Sequence, residues 1–201
     1  MINKPFSQAC ENNKQPILDI LTTVFADTKH VLEIGSGTGQ HAVFFGEQLP
    51  DIIWQTSDLL VNHEGISSWL NEMKLLNVKA PVIIDLKKTW PDINNNTPVD
   101  GVFTANTLHI INWSLVINFF EGISKNIKAG SNVCIYGPFN YKGSYTSESN
   151  ANFDLWLKNR DVNSGIRDIE AILDLAKNAG LNLEDDHAMP ANNRLLVFTK
   201  I

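Results

Sequence analysis

Residues 31–40 read Val-Leu-Glu-Ile-Gly-Ser-Gly-Thr-Gly-Gln, with glycines at every second position from Gly35 through Gly37 to Gly39. Glycines so spaced allow a tight turn and let a ligand approach the backbone closely. Glu33 stands two residues ahead of the first of them. A carboxylate there sits poorly beside a pyrophosphate but well beside an ammonium or sulfonium group. Dinucleotide-binding loops run G-x-G-x-x-G, yet the third such position is Gln40, and the last glycine falls one place early at Gly39. No lysine follows as a phosphate-binding P-loop requires. Taken alone, the three glycines could be turn residues. Asp58 and Asp85 each close a β-rich run; alone they read as a helix N-cap and a solvated turn residue.

These residues need a scaffold, and the chain supplies one by alternating β-rich runs with segments of helical period. Pro16 is expected to open a helix with Ile17, Ile20, Leu21, Val24 and Phe25 on one face. Strands are expected at 30–34, 51–57, 81–85, 100–105, 131–136, 181–185 and 194–199. Helical spacing recurs through Phe44, Phe45 and Leu49, through Ile66, Trp69, Leu70 and Met73, and through Val116, Phe119, Phe120 and Ile123. A short amphipathic helix is expected around Phe153, Trp156 and Leu157, and a last one through Ile169, Ile172, Leu173 and Ala176, stopped by Gly180. The connection Met189 to Asn193 suits a hairpin, so the last strand should run antiparallel. Asn94-Asn95-Asn96 reads as a polar turn. The fold class is therefore α/β, a doubly wound, mostly parallel seven-stranded sheet, in one domain over residues 1–201.

Glu-x-Gly-x-Gly-x-Gly, from Glu33 to Gly39, resembles motif I of the class I S-adenosylmethionine-dependent methyltransferases, with their Rossmann-like fold. The resemblance implies that Glu33, Gly35, Ser36, Gly37 and Gly39 bind S-adenosylmethionine. It implies that Asp58, 19 residues after Gly39, accepts hydrogen bonds from both ribose hydroxyls. Asp85 would recognise the adenine amino group with the Leu86 amide nearby, and Asn106 would meet the methionine end. Longer strings resemble the methyltransferase-like 26 family, a domain-of-unknown-function grouping. They are Lys4-Pro5-Phe6-Ser7, Glu11-Asn12-Asn13, Tyr136-Gly137-Pro138-Phe139, Thr146 to Asn150, Phe153-Asp154, Arg160-Asp161 and Gly165 to Asp168. Asn163-Ser164 departs from that pattern, where a bulkier, aromatic-containing pair is expected. Residues 1–15 are expected to form an N-terminal arm that closes over the cofactor, with Glu11 and Asn12 at its amino-acid end; a tail packed on the surface is the alternative.

Methyl transfer needs alignment of acceptor, methyl and sulfur more than acid–base chemistry, although an oxygen or protonated nitrogen acceptor wants a base. His109, three residues beyond Asn106, is the candidate, or else a loop histidine. Tyr141 follows the fifth strand in a substrate-side insertion, residues 137–167. With Phe139, Tyr145 and Trp113 it would wall a flat acceptor, or these rings only pack the loop. His41 is expected to contact structure or the cofactor edge, and His187 to play no part. Arg160 and Arg167, each followed by Asp, suggest ion pairs that hold the insertion, or a clamp for an acidic substrate.

The net charge of −6, without a Lys/Arg block, argues against nucleic acid as partner, as does Asn106-Thr107-Leu108-His109 in place of the Asn/Asp-Pro-Pro-aromatic string of base methylation. A protein acceptor stays open, since an acidic surface suits a basic partner. Cys10 and Cys134 fit neither a disulfide framework nor a metal spacing, so no metal is expected. No apolar run approaches a membrane span and no secretory signal is seen, so a cytoplasmic protein is expected. The leading reading is methyl transfer to a small molecule. A non-catalytic S-adenosylmethionine sensor and an NAD-linked oxidoreductase are the rivals.

Overall fold

The computed structural model describes residues 4–93 and 97–201, so the turn expected at Asn94-Asn95-Asn96 lies outside the described residues. Its strands are β1 (His30–Ile34), β2 (Ile53–Asp58), β3 (Val78–Ile83), β4 (Gly101–Ala105), β5 (Asn132–Gly137), β6 (Phe139–Asn140), β7 (Arg167–Asp168), β8 (Leu181–Met189) and β9 (Asn193–Lys200). Between them lie α1 (Gln8–Val24), α2 (Gln40–Gln48), α3 (His63–Met73), α4 (Trp113–Asn126), α5 (Glu148–Arg160) and α6 (Ile169–Asn178). The strand order is β3-β2-β1-β4-β5-β9-β8 in a seven-stranded mixed sheet, with β6 and β7 as a separate pair. Strands and helices alternate as the sequence pattern requires, and β9 is antiparallel to β5 and β8. The chain clusters into two compact units, divided between Thr104 and Ala105.

In the first unit β2 and β4 flank β1 and β3 pairs with β2, all parallel. β1 is buried along its whole length, which explains its unbroken apolar-rich run. Phe25, Phe45, Trp54 and Phe103, all fully buried, contact one another at ring separations of 5.3–6.5 Å. Each such ring removes on the order of 150–250 Å² from water, so this cluster seats the end of α1, α2, β2 and β4 against one another.

Two boundaries here differ from expectation. α1 begins at Gln8, well before Pro16, because Ser7 caps it by accepting from the Cys10 amide and Glu11 complements its N-terminal dipole. Pro16 lies inside the helix and removes one backbone donor without ending it. β3 runs over 78–83 rather than 81–85, since an edge strand tolerates Pro81 and the register with β2 shifts between Gln55 and Ser57. Asp85 therefore lies beyond the strand, in the following turn.

In the second unit the β5-β9-β8 ribbon is antiparallel, and β8 extends to Met189 rather than stopping at Asp185. Gly180 ends α6 with φ +71°, the left-handed cap expected of it. α5 is a 13-residue helix capped by Ser147, longer than expected and not amphipathic. It buries the polar Asn150 and Asp154 beside Leu157 while Leu155 and Trp156 stay largely exposed.

Candidate functional site

The glycine loop closes on itself. The Gly35 and Ser36 amides donate to the Ser57 carbonyl, and the Gly39 amide to the Ser36 carbonyl. Gly37 N–H donates to Asp58 Oδ2 at 2.8 Å, and Gln40 N–H to the Thr38 hydroxyl at 3.3 Å. A loop that binds phosphate presents free amides, whereas here five of the six amides from Gly35 to Gln40 are directed at protein acceptors. Gly39 takes φ +88° as the N-cap of α2, and a Cβ there would lie 3.0 Å from the Ile66 Cα, so only glycine fits. At Gly37 a Cβ would meet nothing nearer than the Gly35 carbonyl at 4.0 Å. This face of the loop is open to a ligand.

Glu33 lies beneath the loop, 2% exposed, and its Oε2 accepts from the Ser36 hydroxyl at 2.9 Å and from Trp54 Nε1 at 3.1 Å. Burial pushes its carboxyl up to about 7, the Trp54 and Ser36 bonds oppose that rise, and the nearby Asp58 charge adds to it. A cation brought beside Glu33 would therefore restore its ionised form. Asp58 ends β2 as expected, but much of its capacity serves the fold: Oδ1 accepts from the Leu59 amide and the Asn62 side chain, both at 2.7 Å. Oδ2, which accepts only from Gly37, keeps a second lone pair for a ligand hydroxyl. Leu59, Leu60 and Val61, directly after it, are exposed apolar residues, as is Ile83 opposite Asp58 in the β3 register. Asp85 accepts from the Lys87 amide at 3.0 Å and faces Lys88 at 3.7 Å, with Leu86 next in the turn.

From Lys4 onward the N-terminal segment is pinned; residues 1–3 lie outside the described residues. Lys4 lies 3.7 Å from the centre of the Trp69 ring and pairs with Glu72, while Trp69 Nε1 donates to the Pro5 carbonyl at 2.7 Å. Glu11 accepts from Gln40 Nε2 at 2.8 Å and pairs with Lys14, which holds its carboxyl below the usual range. Asn12 is exposed and accepts from Gln8. Its neighbour Asn13 is the buried one, 2.7 Å from His41 Nε2. His41 is thus a packing residue of α2, stacked on Phe45 and pushed down to about 4 by burial.

In the second unit Asn106 has φ +56°, a left-handed conformation that Asn tolerates better than most residues, and its amide donates to the Tyr136 carbonyl. His109 is 4% exposed and meets Phe153 edge-on, 5.4 Å between centres. A Cβ on Gly137 would lie 3.3 Å from its Nδ1, so the imidazole packs closely against the β5 backbone there. Burial first, then the Arg167 charge, pushes it down to about 4, and it is neutral at neutral pH. Tyr141 donates its hydroxyl to Asp186 at 2.6 Å, and burial with that bond raises its pKa.

Among the described residues neither Arg160 nor Arg167 pairs with the aspartate that follows it. Arg167 donates instead to three backbone carbonyls, of Leu108, Ile111 and Asn163, and Arg160 lies over the Trp156 ring. Carbonyls win because residues 108–111 and 163 form irregular loops whose acceptors would otherwise be unpaired. Ser164 donates to the Ile110 carbonyl, and Asp161 accepts from the amide and side chain of Asn163, so this departure from the family string is a closed turn. Asp154, 1% exposed, accepts from the Ile166 amide, Tyr145 and Lys158. Among the described residues no His, Cys, Asp or Glu cluster is placed to hold a metal ion, and no helix is long and apolar enough to cross a membrane.

Residues 4–200 match the family model described as "Protein of unknown function (DUF938)". The chain belongs to this family. Among solved structures, an O-methyltransferase family protein from Burkholderia thailandensis superposes with TM-score 0.79 at 17% identity, over 93% of this chain and 56% of the other. An O-methyltransferase family 2 protein from Planctomyces limnophilus, in complex with apigenin, gives 0.81 at 14% identity over 96% and 58%. NcsB1, an O-methyltransferase from neocarzinostatin biosynthesis in complex with S-adenosylmethionine and 2-hydroxy-5-methyl naphthoic acid, gives 0.77 at 16% identity over 96% and 55%. The DUF938 chain shares their fold and spans little more than half their length.

Proposed function

We propose that this DUF938 protein is an S-adenosylmethionine-dependent methyltransferase acting on a small-molecule acceptor. The observation that carries the reading is the glycine loop. Its amides are directed inward, its Gly37 face is open, and a buried carboxylate at Glu33 waits beneath it. Such a cradle suits a ligand with a cationic end and repels a pyrophosphate. The spent amides count against the NAD-linked alternative.

The residues present fit this cofactor, which when bound supplies a methyl group activated by a sulfonium. In this reading Glu33 and Glu11 face its ammonium, Asp58 accepts from its ribose, and Asp85 and the Leu86 amide meet its adenine. Leu59 and Leu60 give the base an apolar surface that Asp58 adjoins. Asn12 is assigned to the methionine end. His109 and Tyr141 are assigned to the acceptor. A neutral His109 can accept a proton or orient an acceptor hydroxyl, but its lowered pKa makes it a weak base. That property also favours the second reading, a binding protein that senses S-adenosylmethionine without turnover. The strings shared with the methyltransferase-like 26 family support the first. A reducing cytoplasm suits two free thiols.

The test is release of S-adenosylhomocysteine from S-adenosylmethionine in the presence of panels of small hydroxylated and amine acceptors and of basic peptides, with Asp58→Ala as control. Turnover with one small-molecule class, abolished in the control, is expected. Tight cofactor binding with no turnover across all panels would favour the sensor. Turnover only on the peptides would move the acceptor to protein.

A further inference from the structure

Gln40 stands where a dinucleotide loop has its third glycine, and it is 2% exposed. Its side-chain amide is fully used. Oε1 accepts from the Ser7 amide at 2.5 Å and from the Thr38 hydroxyl at 3.1 Å. Nε2 donates to Glu11 at 2.8 Å and to the Ser7 carbonyl at 3.4 Å. Thr38 belongs to the glycine loop, whereas Ser7 and Glu11 are the cap and first turn of α1, so one buried amide joins the two. The next residue repeats the tie, since His41 Nε2 meets Asn13 Oδ1 at 2.7 Å. Cys10 lies on the same first turn, its amide donating to the Ser7 hydroxyl at 3.4 Å.

We propose that Gln40 is a positioning residue: through its four hydrogen bonds it fixes the first turn of α1 against the glycine loop and presents the Glu11 carboxylate, as a second anion beside Glu33, to the cationic end of the cofactor. This rests on the cofactor reading above. Buried amides are costly unless every donor and acceptor is met, and here they are met only by residues of α1 and the loop. Glycine at this position would leave the Ser7 amide and the Glu11 carboxylate without these partners. The same residue thus departs from the dinucleotide pattern and builds a carboxylate site in its place.

Cys10 is a built-in reporter, because it is partly exposed while Cys134 is buried. The experiment measures the iodoacetamide labelling rate of Cys10 without ligand, and S-adenosylmethionine affinity by calorimetry, in the intact protein and its variants. Gln40→Met fills the same volume without hydrogen bonds. It is expected to label about tenfold faster and to bind about tenfold more weakly, the scale of one lost hydrogen bond to a charged group. In the swap Gln40→Glu with Glu11→Gln, a donor again faces an acceptor. Labelling should return to within about threefold of the parent protein while affinity stays reduced, because the charge has left position 11. Parent-like labelling in a folded Gln40→Met would overturn the joint, with far-ultraviolet circular dichroism checking the fold. Faster labelling with unchanged affinity would overturn the positioning role. Faster labelling when the parent protein itself binds no S-adenosylmethionine would retain the joint, overturn its role toward the cofactor and refute the function above.

Discussion

In the first unit the glycine loop is held mostly by its own backbone and by the end of the adjacent strand, through Ser57 and Asp58. In the second, the loops around 108–111 and 161–166 are held by side chains distant in sequence, Arg167 reaching Leu108 across 59 residues and Ser164 reaching Ile110 across 54. The first arrangement is local, repeats along a contiguous string and leaves one face open. The second spends its charged groups on bracing: Arg167 on carbonyls, Asp154 on an amide, a hydroxyl and an ammonium, and Tyr141 with Arg194 on Asp186. The contrast separates residues that wait for a ligand from residues that hold a shape. In the function proposed above, the glycine loop, Glu33 and Asp58 are the residues that wait for a ligand, and His109 is assigned to the acceptor.

The largest effect expected from this contrast is electrostatic. Glu33 holds its proton to about pH 7 in the folded protein but only to about 4.5 when unfolded. Between those values the folded state binds more protons, so ligand-free stability should fall as pH rises, by about 3 kcal/mol over the window. Urea denaturation from pH 4.5 to 7.5 reads this slope, and Glu33→Gln should flatten it. Next, Asp58→Ala should weaken S-adenosylmethionine binding about 100-fold by calorimetry while the fold persists. Arg167→Met should instead cost about 2 kcal/mol of stability in urea and leave cofactor affinity within about twofold. If it weakened affinity as much as Asp58→Ala does, the contrast between the units would fail. The smallest expected effect is that of His109→Gln on cofactor affinity, which should stay within about twofold. Its imidazole should titrate near pH 4 by NMR.

The fold and the glycine loop after β1 were legible because their signals are contiguous. Apolar runs bounded by glycine gave β1 and its loop directly, and Gly180 marked the end of α6. Asp85 falls in the turn after β3 rather than at a strand end, since an edge strand can absorb Pro81 where pattern reading starts a strand. The start of α1 was hidden by its polar first turns, Gln8 to Gln15, and by a proline that mimics a first helical position; the Ser7 cap was the available signal. α5 was under-read because the residues it buries, Asn150 and Asp154, are polar. The partners of Arg167 are backbone carbonyls, which carry no side-chain signature, and the adjacent aspartates pointed to the wrong bond. Trp54, which donates to Glu33 from the next strand, and Gln40 as a joint were equally invisible, because each acts through a contact made only on folding.

The central claim is that the open, carboxylate-backed glycine loop binds S-adenosylmethionine. Calorimetric titration with S-adenosylmethionine, S-adenosylhomocysteine and NADH tests it most directly. Saturable one-to-one binding of the two methionine-derived ligands, strengthening as pH rises through 7 and absent for NADH, is the predicted result. Binding of NADH in preference, or of none of the three, would contradict it.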